Sequence, residues 1–435
     1  LTDHERAAFA RKIGRPGQVK LLLAAGLGVA ILCAIAALAY FRAHPPGQPV
    51  AAASAAAPAR PPANGVTAAE VTFGMASPFT GATKELGRGM KTGVELAFAE
   101  ANAAGGVHGR QLRLLALDDG YEPERTRAVM RELVEDRKVF GIVGNVGSIT
   151  AAVSVPYVSE RKVLFLGALS GAPVLRKSPP DRYVFNFRPS YAEETAAAVR
   201  YLTEVRRLPP SAIAVFRQED DFGAAGLAGV EQQLRRAGAD PSRLLVMTYR
   251  RNSGEVARAV EQLARAADVR AVVMVATYTA AAEFIERARD AVADRPLVFT
   301  NVSAVDSNAL ADQLLQAGGR YTEEVVVTQI VPLPTSRSTA VARYRELLET
   351  HALGDRPGFL TLEGFVVGEI LVEALRRAGP ELDTERLVAA LEGIRDLDLG
   401  FGTRIAFGPA EHQGSHKVWG TTLQPDGSYA PLDLE

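Results

Sequence analysis

Residues 71–120 read VTFGMASPFTGATKELGRGMKTGVELAFAEANAAGGVHGRQLRLLALDDG, and this stretch decides the fold. Val71–Ala76 is a short apolar run with the composition of a strand. Met90, Val94, Leu96, Ala97 and Phe98 then recur at helical spacing, which predicts a helix over Arg88–Ala104. Gly105-Gly106 stops that helix, and Leu112–Leu117 is the next strand, ended by Asp118-Asp119-Gly120. Strand, crossover helix and strand make a βαβ unit, and therefore a parallel sheet.

The same alternation runs outward from there. Pro123–Arg137 predicts a helix whose proline sits near the first turn, where its missing N–H costs nothing. Phe140–Val143, Val163–Leu166 and Tyr183–Phe187 extend the strand series. After Leu208-Pro209-Pro210 a second series begins, with strands at Ile213–Phe216, Leu244–Thr248, Val272–Ala276, Leu297–Thr300 and Val325–Ile330. Helices at about 224–237, 254–267 and 278–293 separate them, and three more follow at about 337–351, 360–378 and 384–395. Arg404–Phe407 and Val418–Leu423 read as short strands. The expected fold class is α/β: two doubly wound parallel-sheet lobes with a cleft between them. Ligands of open α/β sheets bind beyond the carboxyl ends of the strands. The loops that matter are therefore 77–87, 118–122, 144–150, 167–173, 188–194, 217–223, 277–281 and 301–308.

Ahead of the lobes, residues 21–41 (LLLAAGLGVAILCAIAALAYF) are uncharged and long enough to span a hydrocarbon core of ~30 Å. Arg6, Arg11, Lys12, Arg15 and Lys20 precede them, against Asp3 and Glu5. That bias keeps residues 1–20 cytoplasmic and exports the chain beyond Arg42. The stretch reads as one transmembrane helix, an uncleaved signal anchor. A cleaved signal peptide is the competing reading, with small-residue sites at Ala51-Ala52-Ala53 and Ala55-Ala56-Ala57. Residues 42–67 are a Pro/Ala-rich linker with no apolar periodicity.

Composition removes several functions. Lys and Arg number 49 against 50 Asp and Glu, so there is no electrostatic footprint for nucleic acid. The single cysteine, Cys33, excludes an intrachain disulfide or a thiolate zinc cluster. Gly89-Met90-Lys91-Thr92 departs from a phosphate loop because Met90 separates glycine from lysine. His412 and His416 span Gly414 and Ser415, a poor frame for a rigid zinc pair. No enzyme, cofactor or metal site is expected.

The cleft loops carry a family likeness. Phe73–Pro78 with Thr80-Gly81 and Gly87–Gly93 is similar to the opening of the solute-binding proteins of ABC transporters in the branched-chain amino acid (Leu/Ile/Val-binding) family. Gly105–Arg110 with Leu114–Asp119, Gly144–Ser148, Leu166–Arg176, Phe185–Thr195, Asp220–Gly223, Leu362–Phe365 and His412–Ser415 resemble further blocks in the same order. The resemblance implies a type I periplasmic-binding-protein fold with three hinge crossovers. Lobe one would take 68–188 plus 330–400, and lobe two 189–329 plus 401–435. It also implies an extracytoplasmic receptor that delivers a small polar or carboxylate-bearing solute to ABC permease subunits. A sensing ectodomain on a membrane anchor is the alternative.

Carried onto this sequence, the resemblance implies that a ligand carboxylate is held by Ser148 and by Ala168, Leu169 and Ser170. Helix N-termini suit an anion there. The competing role of Ser148 is to cap a helix starting near Ile149. Tyr278, Tyr191 and Phe222 match aromatic walls, and Asn301 stands where relatives that bind amino acids place an acid. Asn301 cannot neutralise an ammonium. Either the ligand lacks one, or Asp221 or Glu194 replaces the acid.

Overall fold

The computed structural model describes residues 34–40, 42–43 and 63–435. Compact packing divides the chain at Pro61. Before that point, residues 34–40 and 42–43 are helical and exposed. The expected transmembrane anchor is corrected: among the described residues no helix is long and apolar enough to cross a membrane. The helical run 34–40 rises only about 10 Å, a third of a hydrocarbon core. Residues 1–33, Phe41 and 44–62, which hold the rest of that stretch and most of the expected linker, lie outside the described residues. Attachment to the membrane through an N-terminal helix is withdrawn with it.

From Pro62 onward the chain is one unit built on two sheets. The first holds β1 (Glu70–Ser77), β2 (Gln111–Asp118), β3 (Gly141–Val143), β4 (Leu164–Leu166) and β5 (Val184–Phe185), all parallel, in the order β2-β1-β3-β4-β5. The second holds β6 (Ile213–Gln218), β7 (Leu245–Tyr249), β8 (Ala271–Val275), β9 (Val298–Asn301) and β10 (Val325–Gln329). These run parallel in the equivalent order β7-β6-β8-β9-β10. β8 is buried at every position because helices cover both faces of the sheet. A separate pair, β11 (Leu397–Asp398) and β12 (Arg404–Ile405), precedes β13 (Trp419–Leu423) and β14 (Tyr429–Leu432), which add to β10 as an antiparallel edge.

Helices follow the strands: α1 (Lys84–Ala103), α2 (Pro123–Arg131), α3 (Ser148–Arg161), α4 (Tyr191–Arg200), α5 (Asp221–Arg236), α6 (Ala257–Arg265), α7 (Tyr278–Ala291), α8 (Ser307–Ala317), α9 (Thr339–His351), α10 (Phe359–Ala378) and α11 (Thr384–Glu392). Both α9 and α10 return from the second sheet to pack on α1. The α1–α10 crossing is close because glycines meet. A methyl on Gly93 would stand 2.2 Å from the Thr361 carbonyl, and one on Gly364 2.5 Å from that of Met90.

The chain passes between the two packing groups three times: after β5, after β10, and between β12 and β13. The first and third passages lie side by side. Asn186 N–H donates to the His412 carbonyl (2.9 Å) and Gly414 N–H to that of Asn186 (2.7 Å). His412 stacks on Phe185 at 3.7 Å, a structural position.

Candidate ligand cleft

In each sheet the strand order reverses beside its first strand, which opens a crevice at the carboxyl ends. The two crevices face each other. Leu86, Tyr121, Val146, Gly147 and Leu169 from the first sheet's side meet Tyr191, Phe222, Thr277 and Ala304 from the second around a space of about 10 Å³. That is room for about one water molecule, so the lobes must part to admit a solute. The loops are drawn together across it. Gln218 Nε2 donates to Tyr121 Oη (3.2 Å), Asn252 Nδ2 to Glu122 Oε1 (2.7 Å) and Thr279 Oγ1 to the Ala82 carbonyl (3.1 Å). Arg251 pairs with Glu122 at 2.8 Å.

The residues expected to hold a carboxylate converge. Ser148 Oγ and Ser170 Oγ, from loops 22 residues apart, lie 2.9 Å from each other and are fully buried. α3 begins at Ser148, so Gly147, at φ +106°, occupies the cap position and no side chain caps the helix. The Ser148 hydroxyl therefore faces Ser170 instead of closing its own helix. First-turn N–H groups of a helix have no partner within it and point outward at the same place. The amides of Leu169 and Ser170 differ from expectation. Leu169 N–H donates to the Asn145 carbonyl (2.7 Å) and Ser170 N–H to that of Ala168 (2.7 Å), which holds the two loops together. Ala168 and Leu169 are buried beside them.

Tyr191 and Phe222 form one wall, with ring centroids 4.9 Å apart. Tyr278 begins α7 but does not line the space; its hydroxyl reaches the backbone of Glu85 on the opposite side, and burial pushes its pKa up to about 12. Thr277, one residue earlier, faces the cleft.

Neither Asn301 nor the two candidate ammonium partners, Asp221 and Glu194, lines the space. Asn301 Oδ1 accepts from Ala276 N (3.2 Å) and Val302 N (3.0 Å), and its Nδ2 donates to the Ala276 carbonyl (3.1 Å). Its amide ties β8 to β9. Asp221 is exposed on the first turn of α5. Glu194 is fully buried and accepts from Ser303 N (2.8 Å), Ser303 Oγ (3.1 Å) and Thr328 Oγ1 (2.6 Å). It also pairs with Arg188 at 3.2 Å. Arg188, equally buried, reaches Glu363 of α10 at 3.4 Å and bonds the Ser303 hydroxyl.

Sequence reasoning passes over Tyr121, Gln218, Tyr249 and Thr277. Tyr249 Oη donates to Gln218 Oε1 (3.0 Å) and accepts from Thr277 N (3.0 Å). These side chains stand at the ends of β6, β7 and β8, against Tyr121. The rule that ligands sit past strand ends flags loops 118–122, 217–223 and 277–281, but not which side chain turns inward. Tyr121 does so because its backbone is left-handed (φ +60°). Asp119 fixes that turn by accepting from Tyr121 N and Thr126 Oγ1, both at 2.9 Å. Asp118 accepts from Phe79 N (2.8 Å) and Thr80 Oγ1 (2.6 Å). The Asp-Asp pair builds loops.

Burial pushes Asp119 up to about 6 and Asp306, which caps α8, up to about 6 as well. Glu363 rises to about 7 through burial, despite Arg188 and helped by Glu194. Burial opposes it, yet hydrogen bonds from Thr80, Phe79, Gly120 and Arg125 hold Asp118 at about 2. Carboxyls with raised folded-state pKa keep protons that the unfolded chain has already lost. Stability is therefore fully present below about pH 4 from these groups and falls as pH rises through 6 to 7. Asp118 acts oppositely, but only near pH 2–4. The melting temperature is expected to be lower at pH 8 than at pH 5.5. A flat or rising profile over that interval would contradict the burial of these groups.

Among the described residues, no group of three or more His, Cys, Asp or Glu side chains is placed to hold a metal. A family model described as periplasmic binding protein matches residues 70–428. An amino acid binding protein of Pseudomonas aeruginosa is 26% identical over 170 residues, 39% of this chain and 45% of that protein. The match thus spans a little under half of that curated relative. Among solved structures, a "possible leucine/isoleucine/valine-binding protein" of Rhodopirellula baltica superposes with TM-score 0.79 at 36% identity, covering 84% of this chain and 97% of that one. A branched-chain amino acid ABC transporter structure from Thermus thermophilus, with bound valine, has TM-score 0.72 at 20% identity over 84% of this chain and 95% of its own. At that identity the likeness concerns the fold alone.

Proposed function

We infer the function from one premise: the chain belongs to the family of periplasmic binding proteins. That family binds and does not catalyse. The protein is an extracytoplasmic receptor that closes two lobes on a small carboxylate-bearing solute and delivers it to the permease subunits of an ABC importer. The lobes are 68–188 with 330–400, and 189–329 with 401–435, hinged at the three chain passages. One observation carries the reading. The Ser148 and Ser170 hydroxyls meet at 2.9 Å at the head of α3, beside a space walled by both sheets. Hydroxyls and a helix N-terminus together favour an anion. The sensing alternative drew its support from the membrane anchor and loses it with that correction.

A thermal-shift screen of small carboxylates tests this. A ligand at 100 times its Kd stabilises the fold by about 2.7 kcal/mol. Ser148→Ala is expected to weaken binding by roughly 10- to 100-fold, since a hydrogen bond to a charged group contributes about 1.5–3 kcal/mol. If no carboxylate moves the melting curve, the receptor reading fails.

A further inference from the structure

We propose that the cleft selects a small organic acid without an ammonium group and rejects the amino acid of the same skeleton. This deepens the carboxylate-receptor reading and rests on it.

An ammonium taken from water into a buried site is costly unless a carboxylate pairs with it. None of the residues lining the space is charged. None of the nearby acids lines the space. A carboxylate offers about four lone-pair positions, and Glu194 meets donors from Ser303, Thr328 and Arg188. Asp220 accepts from Phe222 N (3.0 Å) and Gln218 Nε2 (2.6 Å), with Arg251 at 3.9 Å. Asp119 holds the Tyr121 turn, and Asp221 is exposed.

Arg176 favours an anion at the Ser170 loop. Arg176 donates to the carbonyls of Ser170 (3.1 Å), Ala172 (3.0 Å), Arg188 (2.8 Å) and Pro189 (3.2 Å), and to Gln413 Oε1 (2.8 Å). Its partners are neutral oxygens. Burial lowers its pKa only to about 10, so it stays a cation directly behind the Ser170 loop. Arg188, 5.5 Å from the ring centroid of Tyr191, is neutralised by Glu194 (3.2 Å) and Glu363 (3.4 Å) and offers a ligand ammonium no acid in return. Arg176 and the head of α3 thus favour negative charge at the two serines, and nothing lining the space favours positive charge. Around it, Leu86, Val146, Leu169, Tyr191 and Phe222 offer apolar surface for an aliphatic or aromatic body.

Isothermal titration of the full chain at pH 7.5 with matched pairs tests this: 4-methylpentanoate against leucine, and 3-phenylpropanoate against phenylalanine. The deaminated member is expected to bind at least 30-fold more tightly in at least one pair. An amino acid that binds as tightly as its partner, or more tightly, overturns the proposal and leaves the receptor reading standing. If no member of either pair binds, both fall. Ala304→Asp adds a carboxylate to the lining without touching the cradle. It is expected to move the ratio at least 10-fold toward the amino acid. An unchanged ratio in a variant that still binds the acid also overturns the proposal.

Discussion

Arg188→Met is expected to destabilise the protein by about 3–5 kcal/mol at pH 8, the cost of leaving buried carboxylates without their cation. Arg188 has no exposed side-chain surface, and it joins Glu194 on α4 to Glu363 on α10 and to the Ser303 hydroxyl. Those partners belong to elements packed on different sheets, so the guanidinium ties the lobes at their hinge. Methionine keeps most of the volume, which separates lost charge from lost packing. Without the cation, Glu363 must either stay ionised in a dry site or take up a proton. Glu363 is already pushed up to about 7 by burial, and its pKa rises further in the variant. The unfolded chain ionises near pH 4, so the penalty grows as pH climbs through the folded-state value. Urea midpoints should therefore show a smaller deficit at pH 5.5 than at pH 8. A deficit below about 1 kcal/mol, or one independent of pH, would rule out this role for Arg188.

The hinge shows where a single sequence stops being informative. Strand positions are legible because Ile213–Phe216 of β6 and all of β8 are apolar on both faces, as strands covered by helices on both sides are. The block Ser190-Tyr191-Ala192-Glu193 stands out as a likeness, and its physical basis is a capping box. Ser190 accepts from Glu193 N (3.2 Å), while Glu193 Oε2 accepts from Ser190 N (2.7 Å). Such local devices are written within four residues. Ser303 and Thr328, which donate to Glu194, are 109 and 134 residues away, and the partners of Asn301 include Ala276 across a strand pair. Spacing carries no trace of these, so the sequence assigns both residues to a ligand when they hold the second lobe together. Tyr183–Phe187 reads as one strand, yet β5 is only Val184–Phe185, because Asn186 leaves the sheet to pair with the third crossover. Ser148 and Ser170 emerge through resemblance alone. Their convergence depends on Val146 pairing with Leu169, a long-range contact that periodicity does not report.

Gly147→Ala is expected to weaken ligand binding by about 100-fold, or about 2.7 kcal/mol, with a smaller loss of fold stability. Two effects combine at this one position. Its φ of +106° lies where an L-residue is strained, at a cost of about 1–3 kcal/mol. A methyl there would also stand 2.2 Å from Tyr121 Cε2 and 2.9 Å from Thr150 Oγ1. Because the tyrosine ring lines the space and its hydroxyl accepts from Gln218, displacing it disturbs a wall of the cleft and the bond that closes it. Relief of the backbone strain would turn α3, and with it the Ser148 hydroxyl, away from Ser170. The double variant Gly147→Ala/Tyr121→Ala separates the two effects. If the ring clash dominates, the double variant binds better than Gly147→Ala alone while keeping its stability loss. If strain at the head of α3 dominates, removing the ring restores nothing. Wild-type affinity in Gly147→Ala itself would mean that neither the turn nor the tyrosine positions the ligand.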